Sequence, residues 1–159
     1  MAVLRVLLAC TVALLPGYAQ ALCTATCTCT VSTTAVAFGS YFAVAGDATG
    51  VGNVRITCAG VVGLLVPFDV ALGAGANAAP SFDRRMASGT QRLRYNLYTQ
   101  AGTVWGDGTG TTRTVSGSVT VVLLGGTSVD LPVYGRIAGG QAAAPGTYGD
   151  TVTITVTYF

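Results

Sequence analysis

Few side chains in this sequence can do chemistry, and their types restrict what that chemistry would be. Among 159 residues there is no His, no Lys and no Glu. Without His there is no Ser–His or Cys–His nucleophile pair. Without Lys there is neither a Schiff base nor a Ser–Lys dyad. No G-x-S-x-G elbow occurs. Asp83 and Asp107 could form a carboxylate pair, but an isolated Asp in a Gly-rich loop is ordinarily a turn former. The stretch "WGDGTG" at 105–110 has a G-x-G-x-G spacing, yet no helix follows whose N-terminus would receive a phosphate. A calcium loop needs several carboxylates at alternate positions, and this stretch offers only Asp107. Arg84, Arg85, Arg92 and Arg94 could contact an anion or a polysaccharide. The alternation of Arg92 and Arg94 with apolar residues favours a solvated strand face instead. Trp105, the single tryptophan, reads as a core or loop plug rather than a ligand anchor, and Tyr95 as core-facing. Tyr98 has the opposite parity from Leu93 and Leu97. The expectation is no enzyme, no cofactor and no metal.

Cysteine chemistry is the exception, and it depends on export. Arg5 supplies a positive start, Val6 to Leu15 an apolar stretch, and Ala19-Gln20-Ala21 a small-residue cleavage site. Residues 1–21 therefore read as a secretory signal peptide, too short in its apolar run to span a bilayer. Residues 22–159 form one exported domain, and its cysteines meet an oxidising compartment. That domain has Cys23, Cys27, Cys29 and Cys58, with no C-x-x-C pair for zinc. Three connectivities are possible. The favoured one joins Cys29 to Cys58, closing a loop worth roughly 3–4 kcal/mol by the chain-entropy estimate. Cys23 and Cys27 are then left to pair, which requires a local turn because extended chain would hold them about 13 Å apart.

The elements that position these residues are strands. Apolar residues alternate with polar ones around Cys27–Val31, Val54–Cys58, Phe68–Leu72, Leu93–Leu97 and Val129–Ile137, and again from Thr151 to Phe159. Val115 to Leu124 is β-rich with a less regular pattern. That makes about seven strands with Gly-rich punctuation, hence an all-β sandwich or barrel. Pro132 inside its run belongs at an edge or a bulge. Seven Arg against six Asp in the exported domain leave a net charge of +1, which is no footprint for nucleic acid or an anionic membrane.

Seven fragments in order resemble one known family: "CTVSTTAVAFGSY" (29–41), "VRITC" (54–58), "RRM" (84–86), "LRYNLYTQ" (93–100), "WGDGTG" (105–110), "YGRI" (134–137) and "PGTYGDTVTITVTY" (145–158). Together they resemble the spore coat protein U domain, a family that includes subunits of archaic, Csu-type chaperone–usher pili. The resemblance implies an incomplete immunoglobulin-like β-sandwich whose final strand a partner supplies. Its implied partners are a periplasmic chaperone, an outer-membrane usher and sister pilin subunits. Its implied route runs through the periplasm to a surface fibre, with a structural or adhesive role. The resemblance also marks Gly146, fourteenth from the end, and the penultimate Tyr158. Val152, Ile154, Val156 and Tyr158 become the apolar side of a strand that pairs with chaperone or subunit.

One departure qualifies this expectation. A strand-donating subunit needs an extension with alternating large apolar residues, and "LCTATCT" (22–28) lacks them. Seven extended residues also reach only about 23 Å. The expectation is therefore a subunit that accepts a strand without donating one, placed distally in a fibre or acting singly with its chaperone. The alternative is a stand-alone secreted β-sandwich binding module, complete without a partner.

Overall fold

Alternating residues put their side chains on opposite faces of a strand, and the fold follows that rule closely. A computed structural model of the chain describes residues 27–60, 63–80, 82–121 and 126–159. The expected signal peptide and Cys23 lie outside the described residues, as does the end of the β-rich run at 122–124. The described strands are β1 (Cys27–Thr34), β2 (Ala48–Gly60), β3 (Leu65–Leu72), β4 (Arg85–Ser88), β5 (Gln91–Arg94), β6 (Asn96–Tyr98), β7 (Val115–Thr120), β8 (Thr127–Ile137) and β9 (Ile154–Tyr158). A single 3-10 turn covers Ala43–Ala45.

One sheet has the order β1-β2-β8-β6 and the other β7-β3-β9, with β4-β5 as a separate hairpin. All pairings between these strands are antiparallel. The inner faces meet in one core. Val54, Ile56 and Val133 come from the first sheet, and Val66, Phe68, Val70, Ile154 and Val156 from the second. Full burial of each such side chain stabilises the fold by about 1.5–3 kcal/mol. This is the all-β sandwich expected from the sequence.

The expected count of about seven strands is corrected to nine among the described residues. The run from Arg92 to Leu97 is two strands, because the chain changes partner at Tyr95. Before it, β5 pairs with β4; after it, β6 pairs with β8. The strand β4 carries one large apolar residue, Met86, so no alternation announces it. Gly89, at φ 57, turns the hairpin in a conformation that side-chain-bearing residues rarely adopt. Pro132 sits where β8 is paired with β2 alone, since β6 reaches only Tyr134 to Arg136. Its flank is locally an edge, as the missing N–H requires.

Candidate functional site

The C-terminal strand has one paired side. Thr153 O accepts from Gly73 N at 2.8 Å, Thr151 O accepts from Ala76 N at 2.9 Å, and Phe159 N donates to Pro67 O at 3.1 Å. Odd-numbered residues thus direct their backbone toward β3 and its extension. A strand alternates these directions, so Val152, Ile154 and Val156 direct their N–H and C=O groups to the other side. Among the described residues no strand pairs with that side. The same three residues bury their side chains in the core, at 2%, 0% and 3% exposure. Tyr158 packs partly buried against the core. Of the residues carried over from the family resemblance, Ile154, Val156 and Tyr158 lie on β9 and Val152 just before its start, whereas Gly146 lies outside the strand. The side chains of Val152, Ile154 and Val156 anchor the edge and their backbone presents it.

A groove of about 790 Å³ adjoins the start of this segment. One wall is the stretch after β1, including Phe38, Tyr41, Phe42 and Val44. The other is the stretch before β9, from Ala143 to Tyr148, and Met86, Leu93 and Ile137 also contribute to the lining. Phe42 is 65% exposed and Val44 99%. Phe38 is held edge-on to Tyr95, with ring centroids 5.9 Å apart. Gly135 makes room for it: a Cβ there would meet Val36 and Phe38. Gly146 lies in the second wall against the β4-β5 hairpin, where a Cβ would come within 2.6 Å of Ser88 Oγ. Sequence reasoning missed the first wall as a site, because "AVAFGSYFAVAG" (35–46) has no strand periodicity. Its three aromatics were the available signal.

A buried polar network fixes the chain between groove and edge. Tyr95 donates its hydroxyl to Asp150 Oδ2 at 2.7 Å. Asn77 donates to Asp150 Oδ1 from its backbone N at 3.1 Å and its Nδ2 at 3.0 Å. Burial, with the Asp150 bond, pushes the Tyr95 phenol well above its ordinary range. Arg84 donates to the carbonyls of Gly73 (2.7 Å), Leu72 (3.3 Å) and Trp105 (2.8 Å), and to Asn96 Oδ1 (2.8 Å). The expectation of a solvated face is overturned for Arg84, which is 1% exposed. Its five donors in a planar fork suit a point where several strand-end carbonyls converge. Burial lowers its pKa to about 10, so it remains charged at neutral pH.

The other candidates are not drawn into one site. Asp83 is ion-paired with Arg85 and Arg94. Asp107 accepts from the Thr109 hydroxyl (2.6 Å) and N–H (2.9 Å), and these bonds hold its carboxyl below the usual range. The 105–110 stretch is a turn closed on its own side chains: a Cβ on Gly106 would strike Thr112. Trp105 is 1% exposed and its indole N–H donates to Val70 O at 2.9 Å, as a core plug should. Cys29 and Cys58 form a disulfide between residues directly opposite in the β1-β2 ladder. Cys27 is also disulfide-bonded; its expected pairing with Cys23 lies outside the described residues. Among the described residues no group of metal-ligating side chains assembles, and no helix is long and apolar enough to cross a membrane.

Comparison with known proteins shows the family and the fold. The family model described as Spore Coat Protein U domain matches residues 17–155. No curated protein sequence matches the chain. Among solved structures, the chain is similar to one in the CsuC–CsuE chaperone–tip adhesion subunit pre-assembly complex from the archaic chaperone–usher Csu pili of Acinetobacter baumannii. The TM-score is 0.55 at 22% identity, over 82% of this chain and 39% of that one. The likeness is one of fold, and this chain spans about two-fifths of its neighbour's length.

Proposed function

The chain belongs to the spore coat protein U domain family, which matches residues 17–155, and from that premise we propose that it is a structural or adhesive subunit of a chaperone–usher surface fibre. In this reading a periplasmic chaperone first covers the β9 edge, and a strand from a sister subunit replaces it at the usher. The observation that carries the proposal is the division of labour in Val152, Ile154 and Val156. Their side chains lie in the core, while their backbone faces a side unpaired among the described residues. An unpaired strand edge is a template for another chain, and proteins ordinarily blunt it. Here it continues from the wall of an apolar groove, the arrangement that strand addition uses. The fold likeness to a subunit crystallised with its chaperone supports the same reading.

The magnitudes are consistent with dependence on a partner. A donated strand that buries four apolar side chains gains about 6–12 kcal/mol before ordering costs. A whole small domain is stable by only about 5–15 kcal/mol. The acceptor-only role belongs to the same proposal and rests on composition: Leu22 to Thr26, directly before β1, alternates no large apolar residues. The chain is exported, passes through the periplasm and ends in a surface fibre.

Co-expression with and without the cognate chaperone tests the proposal. Recovery of soluble periplasmic subunit should depend on the chaperone. Equal recovery without it contradicts the proposal and favours a self-sufficient secreted module.

A further inference from the structure

We propose that the outer face of the β4-β5 hairpin is an anion-binding site for an acidic polysaccharide. In the hairpin ladder Arg85 stands directly opposite Arg94, and Ala87 opposite Arg92. Met86 and Leu93 are buried on the other face, at 3% exposure each, so the three guanidinium groups share the outer one. Like charges directly opposite in an antiparallel pair destabilise it. One carboxylate oxygen answers two of them: Asp83 Oδ2 is the ion-pair partner of both Arg85 and Arg94. Arg92 donates only to the carbonyls of Gly89 and Gln91, and has no carboxylate partner among the described residues.

The remaining arginines are accounted for elsewhere. Arg55 holds Asp130 with two bonds, Arg136 pairs with Asp47, and Arg84 is buried on carbonyls. Arg113 donates to the Thr112 carbonyl as a lone exposed cation, without a carboxylate partner among the described residues. The hairpin face thus has three arginines against one aspartate, while the rest of the described chain has four arginines against five aspartates. The chain's net positive charge is therefore concentrated on one short surface. Arg92 and Arg94 lie two residues apart, about 7 Å along the strand. Guanidinium groups bind carboxylate and sulfate oxygens bidentately. A spaced row of them suits a polymer with repeated charges better than a single ion. The site itself is independent of the β9 edge; the choice of a polysaccharide rests on the surface location proposed above.

The test is binding of the exported chain, purified in complex with its chaperone, to immobilised polygalacturonate and chondroitin sulfate, with neutral dextran and duplex DNA as comparators and the chaperone alone as the blank. Arg92→Gln/Arg94→Gln changes exposed side chains, and its thermal midpoint is recorded alongside to report folding. The acidic polysaccharides should bind saturably at low salt and weaken as salt rises, and the double variant should bind at least tenfold more weakly with its midpoint kept. Arg113→Gln should bind as the parent does. Unchanged binding by the double variant, or no saturable binding by the parent chain, overturns the site. Tighter binding to DNA than to either polysaccharide overturns the ligand class. Loss of chaperone dependence would affect the strand-edge reading and leave these binding outcomes to be judged separately.

Discussion

The Tyr95 hydroxyl donates to Asp150 Oδ2 at 2.7 Å across the core, joining the residue where β5 becomes β6 to the segment that leads into β9. Both residues are nearly buried, at 5% and 4% exposure. Removing one partner leaves a carboxylate short of a hydrogen bond away from water, which costs about 1–3 kcal/mol or more. Tyr95→Phe should therefore lower the unfolding free energy of the partner-bound subunit by that amount, read as a lower urea midpoint with little change in slope. The pH dependence has a definite sign. The phenol's folded pKa is raised above the ordinary value of 10.0, so its contribution is complete below pH 10. It is lost as pH rises further, when the unfolded chain ionises and the folded one resists. Alkaline destabilisation that is steeper in the parent than in Tyr95→Phe is the expected result.

Gly75 tests the same junction from the backbone. Its φ is +100°, and a Cβ there would run into the Asp150 carboxylate. Gly75→Ala combines backbone strain with displacement of a buried acceptor. It should cost about 2–3 kcal/mol, more than an ordinary glycine replacement. The check is an unfolding midpoint set against Gly110→Ala, where φ is also positive and the space around the glycine is open.

The Cys29–Cys58 disulfide ties the edge strand β1 to β2 over 29 residues of sequence. By the chain-entropy estimate it contributes about 3–4 kcal/mol. Cys29→Ser/Cys58→Ser should lower stability by that amount and make recovery from the periplasm more dependent on chaperone. Chemical denaturation of the oxidised parent and the double variant measures it.

Acid should weaken the outer face of the first sheet before the core. The Asp130 carboxyl is pushed down to about 2, first by its bond from Arg55 and then by that from Asn53. Its stabilising contribution is present above the ordinary value of 3.8 and is lost as pH falls through about 2. The pair is exposed, so the effect is small and screened by salt. Asp130→Asn should flatten the acid limb between pH 4 and pH 2 and lower stability at neutral pH by the same small amount that the parent loses on acidification, as followed by thermal melts across that range.

The sequence showed its strands wherever one face is buried and the other wet. Val54 to Cys58 and Phe68 to Leu72 alternate in the structure as they do in the sequence. It did not show β4, because that strand is positioned by contacts distant in sequence. Ala87 exchanges two backbone hydrogen bonds with Gly149, and neither residue carries a pattern. The burial of Arg84 was hidden for the same reason. An arginine beside another arginine reads as surface until the carbonyls of Leu72, Gly73 and Trp105 converge on it. The apolar residues of β9 were legible. Their division into core-facing side chains and an outward-facing backbone was not, since it follows from which flank β3 occupies.

The most direct test of strand addition is amide hydrogen exchange along β9, measured on the subunit before and after a chaperone or a sister subunit's donor peptide is added. Thr155 and Thr157 have their backbone turned toward β3 and should be protected in both states. The amides of Val152, Ile154 and Val156 should gain protection only when the partner binds. Unchanged exchange at those three amides in a demonstrated complex would contradict the account, since the partner would then be bound somewhere other than the β9 edge.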